Sequence, residues 1–434
     1  MNELLTKGIG HTEFKDSPVG KIPVGWEVKK FGECVERFYQ GINTVADKVV
    51  YERKGIPILQ AKHITSGYIS IGGAKFVSQV DFAIYKDKYN PRKGDVLLTN
   101  IGTIGKTVLV QEDEELLIAW NVFLIGVNDK VQSKFLNYYL QRLDGLNFYE
   151  NLMTGNATKF VNKTSLSEIE ILSPPLPEQQ KIASILTSVD EVIEKTQSQI
   201  NKLQDLKKGT MNELLTKGIG HTEFKDSPVG KIPVGWEVKK FGECVERFYQ
   251  GINTVADKVV YERKGIPILQ AKHITSGYIS IGGAKFVSQV DFAIYKDKYN
   301  PRKGDVLLTN IGTIGKTVLV QEDEELLIAW NVFLIGVNDK VQSKFLNYYL
   351  QRLDGLNFYE NLMTGNATKF VNKTSLSEIE ILSPPLPEQQ KIASILSSMD
   401  SHIEEKQRKL EQTQSLKKSL MQDLLTGKVR VTVN

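Results

Sequence analysis

Four short polar stretches carry the side chains of this chain best suited to chemistry. That chemistry is hydrogen bonding to nucleic-acid bases and phosphates. Direct reading of a base needs bidentate donors and acceptors, with positive charge near the phosphates. Tyr39, Gln40 and Asn43 surround Gly41 in a polar turn, and Lys62 and His63 close an apolar run. Asn100, Thr103 and Lys106 lie among Gly102 and Gly105, where absent side chains would let backbone approach a phosphate. Thr154, Asn156, Thr158 and Lys159 form a fourth polar, flexible stretch, followed by Asn162 and Lys163. Plainer readings stand beside these. Gly102 and Gly105 equally suit a hairpin turn, His63 a hydrogen-bonded packing residue, and Lys86, Lys88, Arg92 and Lys93 a solvated loop.

Two motifs invite an enzymatic reading, and each lacks a residue that the chemistry needs. Asn100–Thr107 (NIGTIGKT) is close to a phosphate-binding loop, but the first glycine of G-x-x-x-x-G-K-[ST] is replaced by Asn100. It also lies between strand-like runs, without a following helix to lend its dipole. Ser173–Leu176 (SPPL) is similar to the (Asp/Asn/Ser)-Pro-Pro-aromatic motif of amino-methyltransferases, with Leu176 where an aromatic would stack on a flipped base. No His/Cys group has metal-ligand spacing, no Ser/His/Asp set stands out, and no cofactor loop is expected.

The elements that must position these stretches are organised by a repeat. Residues 1–186 recur unchanged as 211–396, an offset of 210. That period is one domain long rather than a solenoid repeat. The second copy therefore offers Tyr249, Gln250, Asn253, Lys272, His273, Asn310, Thr313, Lys316, Thr364, Asn366, Thr368 and Lys369. A surface presented twice suits a ligand that itself repeats, and duplex DNA with inverted half-sites is the leading candidate.

Within each copy a mixed region precedes a helical tail. Strand-like runs at 56–60, 95–99, 107–110, 116–125 and 168–172 are rich in Ile, Val and Leu, and 133–143 reads as a helix. After Pro177, apolar residues at Ile182, Ile185, Leu186, Val189, Val192, Ile193, Ile200, Leu203, Leu206 and Leu214 alternate spacings of three and four, which predicts a coiled-coil seam ending near Gly218. About 40 residues at 1.5 Å each make a rod of roughly 60 Å. A second rod runs from Pro387 to about Gly427.

The expected fold is α/β (α+β): two globular domains related by a pseudo-two-fold axis and joined by two long antiparallel helices forming a coiled-coil spacer. The expected divisions are an N-terminal segment 1–20, a domain 21–175, a helix 176–218, a connector 219–230, a domain 231–385, a helix 386–428 and a tail 429–434. Residues 1–8 equal 211–218, while 421–428 is the matching segment of the second rod. Two slots and three copies leave residues 1–8 without a symmetric slot, so they are expected to be frayed or loosely packed.

The net charge of +4 is only mildly basic, which permits local basic patches without demanding a nucleic-acid partner. The two cysteines, Cys34 and Cys244, are one position in two copies, so no disulfide framework is expected, which suits a reducing cytoplasm. No stretch approaches the roughly 20 apolar residues of a membrane span, and the N-terminus shows no apolar signal core.

Gly20–Glu33, Gly55–Ile64, Gly94–Val110, Phe135–Gln141 and Thr154–Leu186, in this order and in two copies, resemble the specificity subunit of Type I restriction-modification systems. Leu206–Gly230 and Leu416–Val431 resemble that family's central and C-terminal segments. The resemblance covers essentially the whole chain. It implies that each mixed region is a target recognition domain reading half of a bipartite DNA sequence, and that the helices set the spacer. It implies no catalysis and no cofactor in this chain. Two modification subunits would methylate adenine with S-adenosylmethionine, and restriction subunits using ATP and Mg are a further partner.

Docking of the modification subunits is expected at Glu178, Gln179, Lys181, Ile182 and Ile185, with Glu388, Gln389, Lys391, Ile392 and Ile395 in the second copy. Family members commonly carry two different domains. Identical ones across a two-fold axis predict a gapped inverted-repeat target. The rival readings are a protein–protein adaptor and a stand-alone DNA adenine methyltransferase.

Overall fold

The computed structural model describes residues 13–431 apart from 66, 276, 366 and 367. The expectation for residues 1–8 and the candidate contact Asn366 therefore lie outside the described residues. The chain folds as two units, 13–197 with 408–431, and 198–407. The division falls inside the two long helices, Leu176–Lys217 and Leu386–Leu424. Each unit thus contains one copy of the mixed region, the start of its own long helix and the end of the other.

In the first unit a four-stranded antiparallel sheet has the order Thr107–Leu109, Val96–Thr99, Val122–Val127, Val35–Gln40. The strand Val122–Val127 is buried on both faces. Val122 and Leu124 point into one core with Leu97, Val108 and Ile118, whereas Phe123 and Ile125 point into another with Trp26, Phe38 and Phe135. Period-two alternation in a strand covered on both sides leaves no polar face, so the run reads as continuously apolar. A smaller three-stranded sheet pairs Ile56–Leu59 parallel to Leu117–Ile118 and antiparallel to Lys75–Val77.

One expected strand, 116–125, is in fact two strands in two sheets, Leu117–Ile118 and Val122–Val127, separated by Ala119–Asn121. The helix expected over 133–143 runs Ser133–Gly145, capped by the Gln132 side chain accepting from Phe135 N. The stretch around Lys86 and Lys88, for which a solvated loop was one reading, is a helix, Gln79–Tyr89, capped by Ser78 and burying only Phe82. Glu27–Lys30 pairs with Glu170–Ser173 and draws the two ends of the mixed region together.

The larger core continues into the long helices. In the first unit Ile182 and Leu186 join Met421, Leu424 and Leu425 around Trp26. In the second, Ile392 and Leu396 join Leu215 around Trp236. Ion pairs fix the register: Lys417 to Asp190 at 2.7 Å in the first unit, and Lys207 to Asp400 at 2.6 Å in the second. The Tyr138 hydroxyl donates to Asp190 at 2.8 Å and Tyr348 to Asp400 at 2.6 Å. Burial, with the neighbouring carboxylate, pushes both phenols well up, so they stay protonated donors.

In the second unit the backbone beyond Lys217 reaches the other helix's first turn, where Ile219 N donates to Glu388 Oε1 at 3.0 Å. Lys207 opposite Asp400 and Ile219 opposite Glu388 mean that the two helix segments of this unit run antiparallel. Gly218 and Gly427 both take a left-handed φ of +71° just past the helix ends. A side chain at Gly427 would strike Pro23 and Trp26, so only glycine fits both the backbone and the space. Cys34 and Cys244 are buried free thiols.

Candidate nucleic-acid interface

The break at Ala119–Asn121 gathers the candidate loops on one face. Trp120 N donates to Ile42 O and Ala119 N to Leu59 O, both at 2.8 Å. Gln40 Nε2 donates to Trp120 O at 2.8 Å. Asn121 Oδ1 accepts from Ala61 N, and its backbone oxygen accepts from Asn100 N, each at 3.2 Å. A side chain on Gly41 would lie 2.3 Å from Ala119 O, so this crossing requires glycine. Asn100 in turn holds the fourth loop: its oxygen accepts from Val161 N at 2.9 Å and its Nδ2 donates to Val161 O at 3.3 Å. Stretches distant in sequence are therefore fastened to each other by two asparagines.

The predicted residues fall into two groups. Lys62, Thr103, Thr154, Asn156, Thr158 and Lys159 are exposed. Tyr39, Gln40, Asn43 and Lys106 are half-buried. Gln40 is engaged with Trp120 O, Asn43 caps its own turn through Ala46 N, and Lys106 pairs with Asp144 at 2.6 Å. His63 and Asn100, by contrast, are 2% and 1% exposed. They are corrected from candidate contacts to residues that shape the loops, because both side chains are buried, with His63 Nδ1 and Asn100 Nδ2 on backbone partners and His63 Nε2 and Asn100 Oδ1 enclosed without one among the described residues. His63 Nδ1 accepts from Gln60 N at 2.9 Å.

The second copy repeats this. His273 and Asn310 are buried. Tyr249, Gln250, Asn253, Lys272, Thr313, Lys316, Thr364, Thr368 and Lys369 stand as their counterparts do, with Gln250 on Trp330 O and Lys316 on Asp354. Lys272, Thr275, Thr313 and Lys316 line one depression of about 260 Å³. Lys316 is neutralised by Asp354 and Lys272 also donates to Gly283 O, so an anion such as a phosphate would meet the Lys272 charge and the two hydroxyls there.

Burial, with the Lys62 charge adding to it, lowers the His63 pKa below the usual 6.5, so the ring is neutral at pH 7. His273 is lowered for the same reason. A depressed folded-state pKa contributes stability that is complete above about pH 6.5 and lost as pH falls. Replacing both rings (His63→Asn with His273→Asn) should therefore flatten the fall in melting temperature between pH 7 and pH 5. An unchanged slope would show that these rings do not govern it.

The phosphate-loop look-alike is a hairpin. Asn100–Lys106 connects antiparallel strands, Gly105 N donates to Thr99 O and Lys106 N to Thr99 Oγ1, both at 2.9 Å. The Ser173–Leu176 stretch ends a strand and starts a helix, with Gln179 N donating to Pro175 O. Among the described residues no group of three or more His, Cys, Asp or Glu could hold a metal ion. Among them, too, no helix is long and apolar enough to cross a membrane.

Residues 23–205 and 233–413 match the family described as Type I restriction modification DNA specificity domain. The chain belongs to the specificity subunits of type I restriction-modification systems. A putative type I restriction enzyme MjaX specificity subunit of Methanocaldococcus jannaschii is 32% identical, over 96% of this chain and 97% of its own length. The MjaVIII specificity subunit of the same organism is 28% identical, covering 96% of both chains. Two solved structures share the fold. One, described as the structural basis of complex assembly and conformational transition of the type I R-M system, superposes with a TM-score of 0.60 at 18% identity, over 94% of this chain and all of its own. The other, the type I restriction-modification S subunit from M. genitalium, gives 0.54 at 15% identity, over 96% of this chain and 98% of its own. The role of such a specificity subunit is recognition of a DNA target, without catalysis of its own.

The docking residues expected on this specificity subunit divide sharply. Gln179 is fully buried: its Oε1 accepts from Gln132 N, and its Nε2 donates to Lys130 O and Pro174 O. Glu178 accepts from Trp26 Nε1 at 2.6 Å, and Ile182 lies in the core. Glu388, Gln389 and Ile392 do the same in the second unit, Glu388 also taking His221 Nε2 at 2.8 Å. Gln179, Ile182, Gln389 and Ile392 are corrected to buried residues that clamp each long helix to its own domain, while Glu178 and Glu388 are half-buried and engaged there. Lys181 and Lys391 remain exposed, with Ile185 and Ile395 half-buried.

Sequence reasoning missed Trp120 and Asn121. The signal was present: Asn is disfavoured inside a strand, and here it interrupts an Ile/Leu/Val-rich run.

Proposed function

We propose that each unit reads one half of a gapped inverted-repeat DNA target through the face around Trp120 and Asn121, or Trp330 and Asn331. The observation that carries this reading is the convergence of the polar loops there, with Lys272, Thr275, Thr313 and Lys316 sharing one hollow. If the two identical readers are related by a two-fold axis, they meet the same bases only in an inverted repeat. The long helices set the gap between half-sites. Two modification subunits dock on the helices and adjoining faces such as Lys181 and Ile185, and methylate adenine with S-adenosylmethionine. Restriction subunits that use ATP and Mg join the same cytoplasmic complex.

Mapping adenine methylation in cells that express this chain with its modification subunit tests the reading. A gapped inverted-repeat motif is expected. An asymmetric motif would overturn the two-fold argument, and no motif beside an active partner would move the protein to an adaptor role. In vitro, Lys62→Ala with Lys272→Ala should weaken binding to all duplexes alike. It should also flatten the dependence of log K on log salt by about 0.9 for each phosphate no longer neutralised.

A further inference from the structure

Of the four tryptophans, Trp26 and Trp236 are buried at 1% and 0% exposure, whereas Trp120 and Trp330 are 46% and 47% exposed. Neither exposed indole stands on a loose segment. Ala119 and Val122, on either side of the Trp120–Asn121 pair, are 5% and 0% exposed. The Trp120 backbone is held at both ends, its N–H on Ile42 O and its oxygen under Gln40 Nε2. Its neighbour Asn121 pins the bases of two candidate loops. The turn therefore presents a large flat apolar ring to solvent, on a rigid mount tied to the bases of the polar candidate loops. Those loops carry amides, hydroxyls and lysines, which can pair with base edges and phosphates but cannot stack.

We infer that Trp120 and Trp330 pack their indole faces against a base in each half-site, and so supply the stacking part of target recognition. This rests on the DNA-reading function proposed above. A flat ring held on a fixed backbone loses little freedom on binding, and an indole can cover the face of a partly unstacked base or a thymine methyl. The contact involves no charge, so its signature differs from that of the lysines: affinity falls when the ring is removed, yet no counterion is released or retained.

The test uses the full chain assembled with its modification subunit, and a duplex carrying the motif mapped by methylation. Trp120→Ala with Trp330→Ala should weaken binding about tenfold or more per half-site, with the salt slope unchanged. Phenylalanine at both positions should recover part of the loss. In the parent protein, duplex binding should quench or blue-shift the emission of the exposed indoles and shield them from acrylamide. The Trp120→Phe, Trp330→Phe variant should lose this response.

Parent-like affinity of the alanine variant, with its melting temperature preserved, would overturn the inference. So would indoles that stay open to acrylamide in the DNA complex, or that are shielded by the modification subunit before DNA is added. Failure of the underlying reading would look different, because then no variant, nor the parent, would show salt-dependent affinity.

Discussion

Ending the chain after Leu420 is expected to unfold residues 13–197 while leaving 198–407 folded. Met421, Leu424 and Leu425 are 9%, 3% and 0% exposed, and all three lie in the core around Trp26, Ile182 and Leu186. Removing one buried Leu or Met side chain costs about 2–5 kcal/mol, and a whole domain is stable by only about 5–15 kcal/mol. Losing three from one core is therefore comparable to the entire margin. The second unit loses nothing, because its equivalent segment, with Leu215 fully buried, lies inside 198–407. Hydrogen exchange with peptide resolution checks this: protection should vanish in the first mixed region and persist in the second. Protection kept in both would mean that another segment fills the place of 421–425, and Met1–Gly8, identical in sequence to 211–218, would be the one to delete next.

The second large effect concerns the gap between half-sites. Adding one heptad to each long helix, after Ser198 and after Arg408, should lengthen the preferred gap by about three base pairs. Seven residues extend a helix by about 10.5 Å, against about 3.4 Å per base pair. A whole heptad keeps the apolar seam in phase, so the buried Thr196, Ile200 and Ile403 keep their facing. The half-site bases should stay the same, since no residue of the loop face is altered. Methylation mapping reads both quantities at once, and an unchanged gap would reject the ruler role. An insertion of three or four residues should cost far more activity, because it rotates the seam away from its partner.

What could be read from residues alone follows from which signals are local. The long helices announce themselves through repeated three- and four-residue spacing and a proline start, and they run Leu176–Lys217 and Leu386–Leu424. The helix Gln79–Tyr89 buries only Phe82, so it has almost no apolar stripe to find. Chain position told which loops are polar but not which side chains face outward. His63 and Asn100 have the same chemistry as the exposed candidates, and the fold turns them inward, His63 onto its neighbour Gln60 N and Asn100 onto the distant Val161 O. Gln179 looked like a free amide on a helix and is instead a three-way brace, because Lys130, Gln132 and Pro174 are brought to it from outside that helix. The misjudged strand at 116–125 had the largest functional consequence, since the break inside it organises the whole candidate face.

The manner in which each core is closed also bears on the order of synthesis. Two identical mixed regions in one polypeptide could trade strands: Glu27–Lys30 would pair as well with Glu380–Ser383 as with its own partner, Glu170–Ser173. Emergence from the ribosome opposes this, because the first region has all its strands before residue 380 exists. The same region nonetheless stays open beside Trp26 until Met421–Gly427 is made. The part of the molecule begun first is thus finished last. A chain released early carries an uncovered apolar surface at Trp26, Ile182 and Leu186, the kind of mark by which quality control distinguishes unfinished proteins from complete ones.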